Sequence, residues 1–337
     1  MMNDVTLVHL SLSALRPVPV GLLYIAAVLR RAGYLLDFQD LHGSHRIEDC
    51  ADVVGIGYMS DALPRALKTA ETLKRQHPGK TVILGGPGPS AVAREIVSSF
   101  PYIDVVVIGE GEETILEVMD CLARDDRSRL SKVDGICCRI DGQVVQTPAR
   151  ERIRDLDALP LPLYDCIPME EYPLINVVSS RGCPYRCTFC DVSPMWQRKH
   201  FRRSVESVVN ELILLKERYG KTEIEFTDET FVLNRDKVST FCERLRRERI
   251  EVRWACTGRV DLVTEDLLAE MASSGCGALF YGLESGSDVV LEKIDKRFTV
   301  GEALAAIHMT RQYMHVAASF IWGFPFEEIN ELVETLL

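Results

Sequence analysis

The sequence predicts two α/β units in tandem, a doubly wound parallel sheet followed by a run of β/α units of the kind that closes into a barrel. Three observations predict it. The chain has 337 residues, more than one ordinary domain holds and suited to two. Short β-rich runs alternate with helical patterns through both halves, and a proline-rich stretch separates them. The composition, 47% hydrophobic and 26% charged, suits a packed core and argues against a disordered, collagen-like or disulfide-scaffold chain.

In the first half the strands are read at Val5 to Leu10, Leu35 to Asp40, Asp52 to Tyr58, Thr81 to Leu84 and Asp104 to Ile108. Between them Gly21 to Ala32, Leu63 to Gln76, Ala91 to Phe100 and Glu113 to Arg124 carry apolar residues at helical spacing. A hairpin-like segment, Gly135 to Thr147 with Asp141-Gly142 at its turn, ends this half. The unit is expected to span residues 1–148. Residues 149–173 carry Pro160, Pro162, Pro168 and Pro173 without clear periodicity and read as a linker.

Ligands of doubly wound sheets sit beyond the carboxyl ends of the strands. The loop after the first strand, from Ser11 to Gly21, has no GxGxxG, so a dinucleotide reading loses its main support. After the fourth strand comes Gly85-Gly86-Pro87-Gly88, and after the fifth Gly109-Glu110-Gly111-Glu112. Glycine allows sharp turns and close approach to a ligand, and a following helix offers free N–H groups. Taken alone, two tight strand-to-helix turns account for both segments.

The second half, residues 174–337, repeats the alternation. Strands are read at Ile175 to Ser179, Glu223 to Phe226, Val252 to Thr257, Gly277 to Gly282 and Val316 to Trp322. Helical patterns lie at Val205 to Tyr219, Lys237 to Arg247, Thr264 to Ser274 and Gly301 to Gln312, and a last one runs from Glu327 to Leu337. Such a run suggests a parallel barrel with its functional groups at the carboxyl ends of the strands. Polar residues stand at those ends: Asp228 and Glu229, Arg259, Glu284 and Ser285, then Gly323-Phe324-Pro325. Taken singly, each carboxylate is accounted for as a cap or an Arg-paired surface group. Their gathering on one face favours a site.

Eleven cysteines are the one abnormal count. The number is odd and most are scattered, which argues against a disulfide framework. Cys183, Cys187 and Cys190 stand apart. Three thiols at x3 and x2 spacing on one loop can bind a soft metal centre as thiolates. A structural zinc site wants four ligands, and the nearest fourth candidate is His200, in the basic stretch Arg198 to Arg203. Three cysteines suit a four-iron cluster with one iron left open for chemistry.

Thirty-nine Lys and Arg against 50 Asp and Glu leave a net charge of -11, which argues against nucleic acid and for a small-molecule partner. The longest apolar stretch, Val18 to Leu29, is too short to span a bilayer, and the N-terminus lacks a secretory pattern. A cytoplasmic location without a membrane partner is expected.

Cys183-x3-Cys187-x2-Cys190 with Phe189 before the third cysteine resembles the cluster loop of radical SAM (S-adenosylmethionine) enzymes. Tyr281-Gly282-Leu283-Glu284-Ser285-Gly286-Ser287 and Phe320-Ile321-Trp322-Gly323-Phe324-Pro325 resemble later strand motifs of that family. Pro19-Val20-Gly21-Leu22, Leu84-Gly85-Gly86-Pro87 and Gly109-Glu110-Gly111-Glu112 are similar to the cobalamin-binding domain of its cobalamin-dependent members. The resemblance implies a Rossmann-type cobalamin-binding sheet and a partial (β/α)6 TIM-like barrel missing its last strand, hence a fragment or a site completed by another chain.

It implies three cofactors: a [4Fe-4S] cluster on Cys183, Cys187 and Cys190, SAM and cobalamin. Reduction would cleave SAM to methionine and a 5'-deoxyadenosyl radical. Phe189 would lie against the adenine, with Asp228, Arg259, Glu284 and Gly323 near SAM and Ser60, Gly85, Gly86, Glu110 and Gly111 near cobalamin. Flavodoxin or ferredoxin would donate the electron. The expected reaction is methyl transfer to an unactivated carbon of a small molecule, with radical cyclisation or rearrangement without methyl transfer as the alternative.

Three further readings are weighed. Asp40-Leu41-His42 follows the second strand rather than the first, and His45 replaces the glycine of the Asp-x-His-x-x-Gly loop, so His42 reads as a loop histidine and not a cobalt ligand. A methylthiotransferase would need a second cysteine triad where Ser11, Ser60 and Gly86 stand. A reading of another class is a non-catalytic zinc or iron-sulfur module.

Overall fold

The computed structural model describes residues 4–10, 17–41 and 47–337, so Ser11, His42 and His45 lie outside the described residues. Contacts divide the chain into two compact units, the first running to Arg154 and resuming over Ala158–Tyr172, the second formed by Asp155–Asp157 and Pro173–Leu337.

The first unit runs β1 (Val5–Leu10), α1 (Val20–Arg31), β2 (Leu36–Asp40), β3 (Val53–Tyr58), α2 (Leu63–Gln76), β4 (Thr81–Gly85), α3 (Pro87–Ala91), α4 (Ala93–Ser99), β5 (Val105–Val107), α5 (Glu112–Ala123), β6 (Ile136–Ile140) and β7 (Gln143–Gln146). One seven-stranded sheet results, ordered β2-β1-β3-β4-β5-β6-β7. The first five strands are parallel, and the β6–β7 hairpin adds antiparallel to β5. Asp141 and Gly142 both take positive φ at its tip, as a two-residue hairpin turn requires.

Both faces are covered, which is why the central strands β3, β4 and β5 are almost wholly apolar. Ala26, Val28 and Leu29 of α1 and Ile115, Val118 and Met119 of α5 pack on Val5, Leu7, Ile83 and Val105. Ala66, Ala70 and Leu73 of α2 and Ile96 and Val97 of α4 pack on the other face, against Val8, Leu10, Val54 and Ile56. The strand order reverses at β1 and β3, and the carboxyl ends there are where such sheets bind ligands.

Two expectations change. The helix expected over Ala91 to Phe100 is α4, Ala93–Ser99, and an unexpected short helix, α3, precedes it from Pro87 directly after Gly86. Prolines in a first turn lack only N–H groups that no helix uses, so Pro87 and Pro89 start this helix rather than prevent it. The stretch expected as a linker is in large part a fixed component of the first unit. It forms 3-10 turns at Leu156–Ala158, Tyr164–Cys166 and Met169–Glu171. Tyr164, Met169 and Tyr172 are buried. Leu163 N–H donates to Leu23 O at 3.1 Å, Arg31 Nη1 to Ala158 O at 2.9 Å and Tyr172 Oη to Asp40 Oδ2 at 2.6 Å.

The second unit runs β8 (Ile175–Val177), β9 (Ser180–Arg181), α6 (Val192–Met195), β10 (Phe201–Arg202), α7 (Val205–Tyr219), β11 (Glu223–Phe226), α8 (Arg235–Arg247), β12 (Arg253–Gly258), α9 (Glu265–Ser273), β13 (Cys276–Glu284), α10 (Asp288–Lys293), α11 (Val300–Thr310), β14 (His315–Phe320) and α12 (Ile329–Leu336). Five parallel strands lie in the order β8-β11-β12-β13-β14, each β/α unit adding its strand on the same side. This is the arrangement of a partial β/α barrel. All carboxyl ends therefore share one edge.

Ser204, Asn234, Thr264 and Thr299 cap α7, α8, α9 and α11 with side-chain oxygens, so the sequence stops each loop sharply. Phe226, Phe231, Phe241 and Trp254 stack between sheet and helices with ring centroids 4.6–5.9 Å apart. The antiparallel β9–β10 ribbon and α10 are not anticipated by periodicity, because two-residue strands and a six-residue helix carry too few positions to show a period.

Candidate functional site

The cysteine loop leaves the second unit's sheet just after β9. Its entry is set by Gly182, whose φ is +92° and whose Cβ, if present, would stand 2.1 Å from Lys199 O. Only glycine fits there. Gly182 N–H donates to Glu229 Oε2 at 2.9 Å, which links the loop to the end of β11. Burial pushes the Glu229 carboxyl above its usual range.

Cys183, Cys187 and Cys190 are each half-buried. Cys183 Sγ lies 3.9 Å from Thr230 Oγ1, Cys187 Sγ lies 3.8 Å from Asp295 O, and Cys190 N–H closes the loop on Cys187 O at 3.2 Å. Burial raises the Cys183 thiol. Among the described residues no three or more His, Cys, Asp and Glu side chains converge as ligands of one ion, His200 included. Three soft sulfurs held by one short loop are a donor set for a cluster in which each sulfur takes its own iron, and they fit a [4Fe-4S] group.

Asp228 is buried inside the wall. Its carboxylate accepts from Ser179 N–H at 3.2 Å, from Ser179 Oγ at 2.9 Å and from Ser180 Oγ, while its own carbonyl accepts from Thr257 Oγ1. It thereby ties together the chain ends after β8 and β11 with β12. Burial drives its carboxyl up, against the hydrogen bonds and the neighbouring Arg202 that favour the charge. The sequence put Asp228 forward as a group orienting SAM, yet these contacts are those of an internal brace.

Arg259, after β12, is held by Asp261, the Lys296 carbonyl and the Tyr185 ring. Its Nε and Nη2 donate to the two Asp261 oxygens at 2.9 and 3.1 Å, Nη2 also donates to Lys296 O at 2.6 Å, and the guanidinium lies 3.7 Å from the Tyr185 ring centroid. Glu284 ends β13 at a register shift, with φ +71°, an unusual backbone state for a residue with a side chain. Its Oε1 meets Lys296 Nζ at 3.2 Å, both side chains being under a tenth exposed.

Lys296 Nζ lies 5.7 Å from the Phe189 ring, and Phe189 meets Phe324 edge-on at 6.1 Å. Gly323 has φ +85°, and its N–H and that of Phe324 both turn to Glu327 Oε2. The structure thus gathers Cys187, Phe189, Arg259, Glu284 and the Gly323-Phe324 turn through direct contacts. Sequence reasoning missed Lys296. It follows α10, the helix too short to be read, so nothing marked it as lying across from Glu284. Tyr281, at the start of the motif that ends β13, is fully buried, with its hydroxyl 2.8 Å from Thr310 Oγ1 on α11.

At the carboxyl edge of the first unit's sheet, Gly86 has φ +113°, and a Cβ would stand 2.6 Å from Tyr58 O. At Gly85 a Cβ would meet nothing within 4 Å. Ser90 Oγ donates to Gly86 O at 2.7 Å and accepts from Gly109 N–H at 3.1 Å, so one hydroxyl joins the two glycine turns. Gly111 brings α5 against α1, with Ile25 Cδ1 3.1 Å from where its Cβ would be. Ser60 opens a short 3-10 turn after β3.

Glu110 is turned inward, where its Oε2 accepts from Arg152 Nε at 2.8 Å and Ile153 N–H at 2.9 Å. It holds the chain after the hairpin. His9 Nδ1 stands 3.1 Å from Asp40 Oδ1, on whose other oxygen Tyr172 closes. This grouping was not read from sequence, since its members are more than thirty residues apart.

Two family descriptions match the chain, the Radical SAM superfamily over residues 177–337 and the B12 binding domain over residues 10–119. An uncharacterized methyltransferase of Pyrococcus horikoshii is 32% identical over 332 residues, covering 94% of this chain and 72% of the relative. An anaerobic magnesium-protoporphyrin IX monomethyl ester cyclase of Rubrivivax gelatinosus is 28% identical over 342 residues, covering 94% of this chain and 61% of that protein. Among solved structures, the cobalamin-dependent S-adenosylmethionine radical enzyme OxsB superposes with a TM-score of 0.84 at 20% identity, covering 99% of this chain and 51% of the other. At that identity the likeness is one of fold. The chain spans about half to three quarters of the length of these proteins. The cysteine loop on a parallel β/α sheet, the doubly wound unit before it and the relative at 32% identity agree: this chain belongs to the cobalamin-binding branch of the radical SAM enzymes.

Proposed function

We propose that this chain carries the two working units of a cobalamin-dependent radical SAM methyltransferase that methylates an unactivated carbon of a small molecule. The observation that carries the reading is the loop of Cys183, Cys187 and Cys190 at the carboxyl edge of a parallel β/α sheet, in one chain with a B12-binding domain. The methyltransferase name of the Pyrococcus horikoshii relative supports the reaction class.

When bound, the cluster and cobalamin supply the electron, the SAM cleavage and the methyl carrier, which no amino-acid side chain provides. The chain's own part is holding and shaping. Cys183, Cys187 and Cys190 would each hold one iron. Phe189 and Phe324 form an aromatic wall for the adenine, and Glu284 with Lys296 gives a polar rim for the ribose and amino-acid groups of SAM. Gly323 keeps that rim open, and Asp228 braces the loop from behind. In the first unit Gly85 offers the backbone to cobalamin, with Ser60, Gly86, Glu110 and Gly111 shaping the edge around it.

The excess of acidic over basic residues supports a small-molecule substrate over nucleic acid. The requirement for one electron calls for a small redox protein of the flavodoxin or ferredoxin class, and reduced thiols suit the cytoplasm. No helix among the described residues is long and apolar enough to cross a membrane.

Anaerobic reconstitution with iron and sulfide, followed by SAM and reductant, is expected to yield 5'-deoxyadenosine. A cluster-loaded protein that cleaves no SAM would overturn the reading. The second reading, radical cyclisation without methyl transfer, is favoured by the cyclase name of the Rubrivivax gelatinosus relative. Methyl-labelled SAM separates the two: label in the product supports methylation, and an unlabelled product of altered mass supports cyclisation.

A further inference from the structure

Within the reading above, we infer that Arg259 is a positioning residue that clamps the cluster loop rather than a ligand of SAM. Two of its three nitrogens donate within the protein: Nε and Nη2 to Asp261, and Nη2 also to the carbonyl of Lys296. Its face is covered by Tyr185, which lies between Cys183 and Cys187, at 3.7 Å from the ring centroid. A guanidinium held edge-on by a carboxylate and face-on by a ring is fixed in all its degrees of freedom.

The second jaw of the clamp is the turn after α10. Its three successive carbonyls all face the site: Ile294 O accepts from Thr188 N–H at 3.1 Å, Asp295 O lies 3.8 Å from Cys187 Sγ, and Lys296 O accepts from Arg259. Asp295 and Arg297 hold positive φ to make this turn, a backbone state that persists only where surrounding contacts enforce it. Arg259 touches the cysteine loop through Tyr185 and the turn through Lys296 O, so it sets the distance between them. An orienting effect on three thiols follows, because Tyr185 and Thr188 are on the same short segment as the cysteines.

The test compares R259K, Y185L and Y185F with the parent. Lysine keeps the charge but has neither the planar face nor the fork, and leucine removes the ring, whereas phenylalanine keeps it. Hydrogen exchange on the cluster-free protein is read first. Exchange of the loop amides, Thr188 above all, is expected to quicken about tenfold in R259K and in Y185L and to stay within about twofold in Y185F. This measurement stands whether or not the chain binds iron, so failure of the clamp is distinguishable from failure of the functional reading. On the reconstituted protein, R259K and Y185L are expected to weaken the SAM-induced change in the reduced cluster's electron paramagnetic resonance signal to a similar degree, with the double variant no worse than either. If R259K alone lowers the response to SAM and Y185L matches the parent, Arg259 binds SAM directly and the inference is overturned. Parent-like exchange in both variants overturns it as well.

Discussion

Gly85 and Gly86 are neighbours at the end of β4, yet their surroundings predict opposite consequences for the same substitution. In Gly86→Ala the new Cβ must be accommodated at φ +113° and 2.6 Å from Tyr58 O. That region of backbone space is almost restricted to glycine and costs about 1–3 kcal/mol for other residues. The obstructing atom is the backbone of β3, which cannot swing aside as a side chain would. A loss of about 3 kcal/mol is expected, or a fall of about 10 °C in the melting temperature of a unit of this size. In Gly85→Ala the Cβ meets nothing within 4 Å, so stability should stay within about 0.5 kcal/mol of the parent. If the open space beside Gly85 is where cobalamin approaches the backbone, its methyl group will nevertheless weaken binding. The assay is calorimetry of the cobalamin-free variants, then titration with hydroxocobalamin followed by visible absorbance. A Gly86→Ala protein that melts within 2 °C of the parent refutes the strain calculation, and a Gly85→Ala protein that binds cobalamin normally removes Gly85 from the site.

Replacing Cys183, Cys187 and Cys190 together by serine is expected to abolish iron retention and the broad visible absorbance after reconstitution, while calorimetry of the first unit is unchanged; retained iron would disprove the ligand assignment. Glu110→Ala and Arg152→Ala, separately and combined, should show a coupling of about 2–3 kcal/mol in denaturant unfolding, as both side chains are only 4% exposed; a coupling below about 0.5 kcal/mol contradicts the anchoring role. Burial raises the Asp228 carboxyl above its unfolded value, so its contribution favours folding at low pH and is lost as pH rises through the folded value. In Asp228→Asn the decline in stability from acid to neutral pH should therefore be shallower than in the parent, and equal slopes in the two proteins would count against the buried carboxylate.

Much of the fold was legible because long elements show their period. Leu63–Gln76, Val205–Tyr219 and the strand Val5–Leu10 lie where apolar spacing puts them. What escaped was local and short. The five-residue helix Pro87–Ala91 is too short to show a period, and the stretch around Tyr164 and Tyr172 looked like a linker because its buried residues follow no regular period. In the site, spacing alone singled out the three cysteines, and the structure keeps them on one loop. The partners of each strand-end residue were not: Glu110 finds Arg152, Glu284 finds Lys296 and Arg259 finds Tyr185 across gaps that no periodicity spans.

By itself, then, the sequence determined the chemistry available to this protein. Three soft donors on one loop and two runs of β/α units are properties of residue type and spacing, and both are local along the chain. Only the tertiary structure decided which distant group each buried strand-end charge meets. Asp228, Glu110 and Arg259 read identically to Glu284 in the sequence, as charged residues following strands. All four are buried, and their partners set them apart, Ser179 and Ser180 for Asp228, Arg152 for Glu110, Asp261 for Arg259 and Lys296 for Glu284, since a charge taken out of water must be matched by groups brought from elsewhere in the chain.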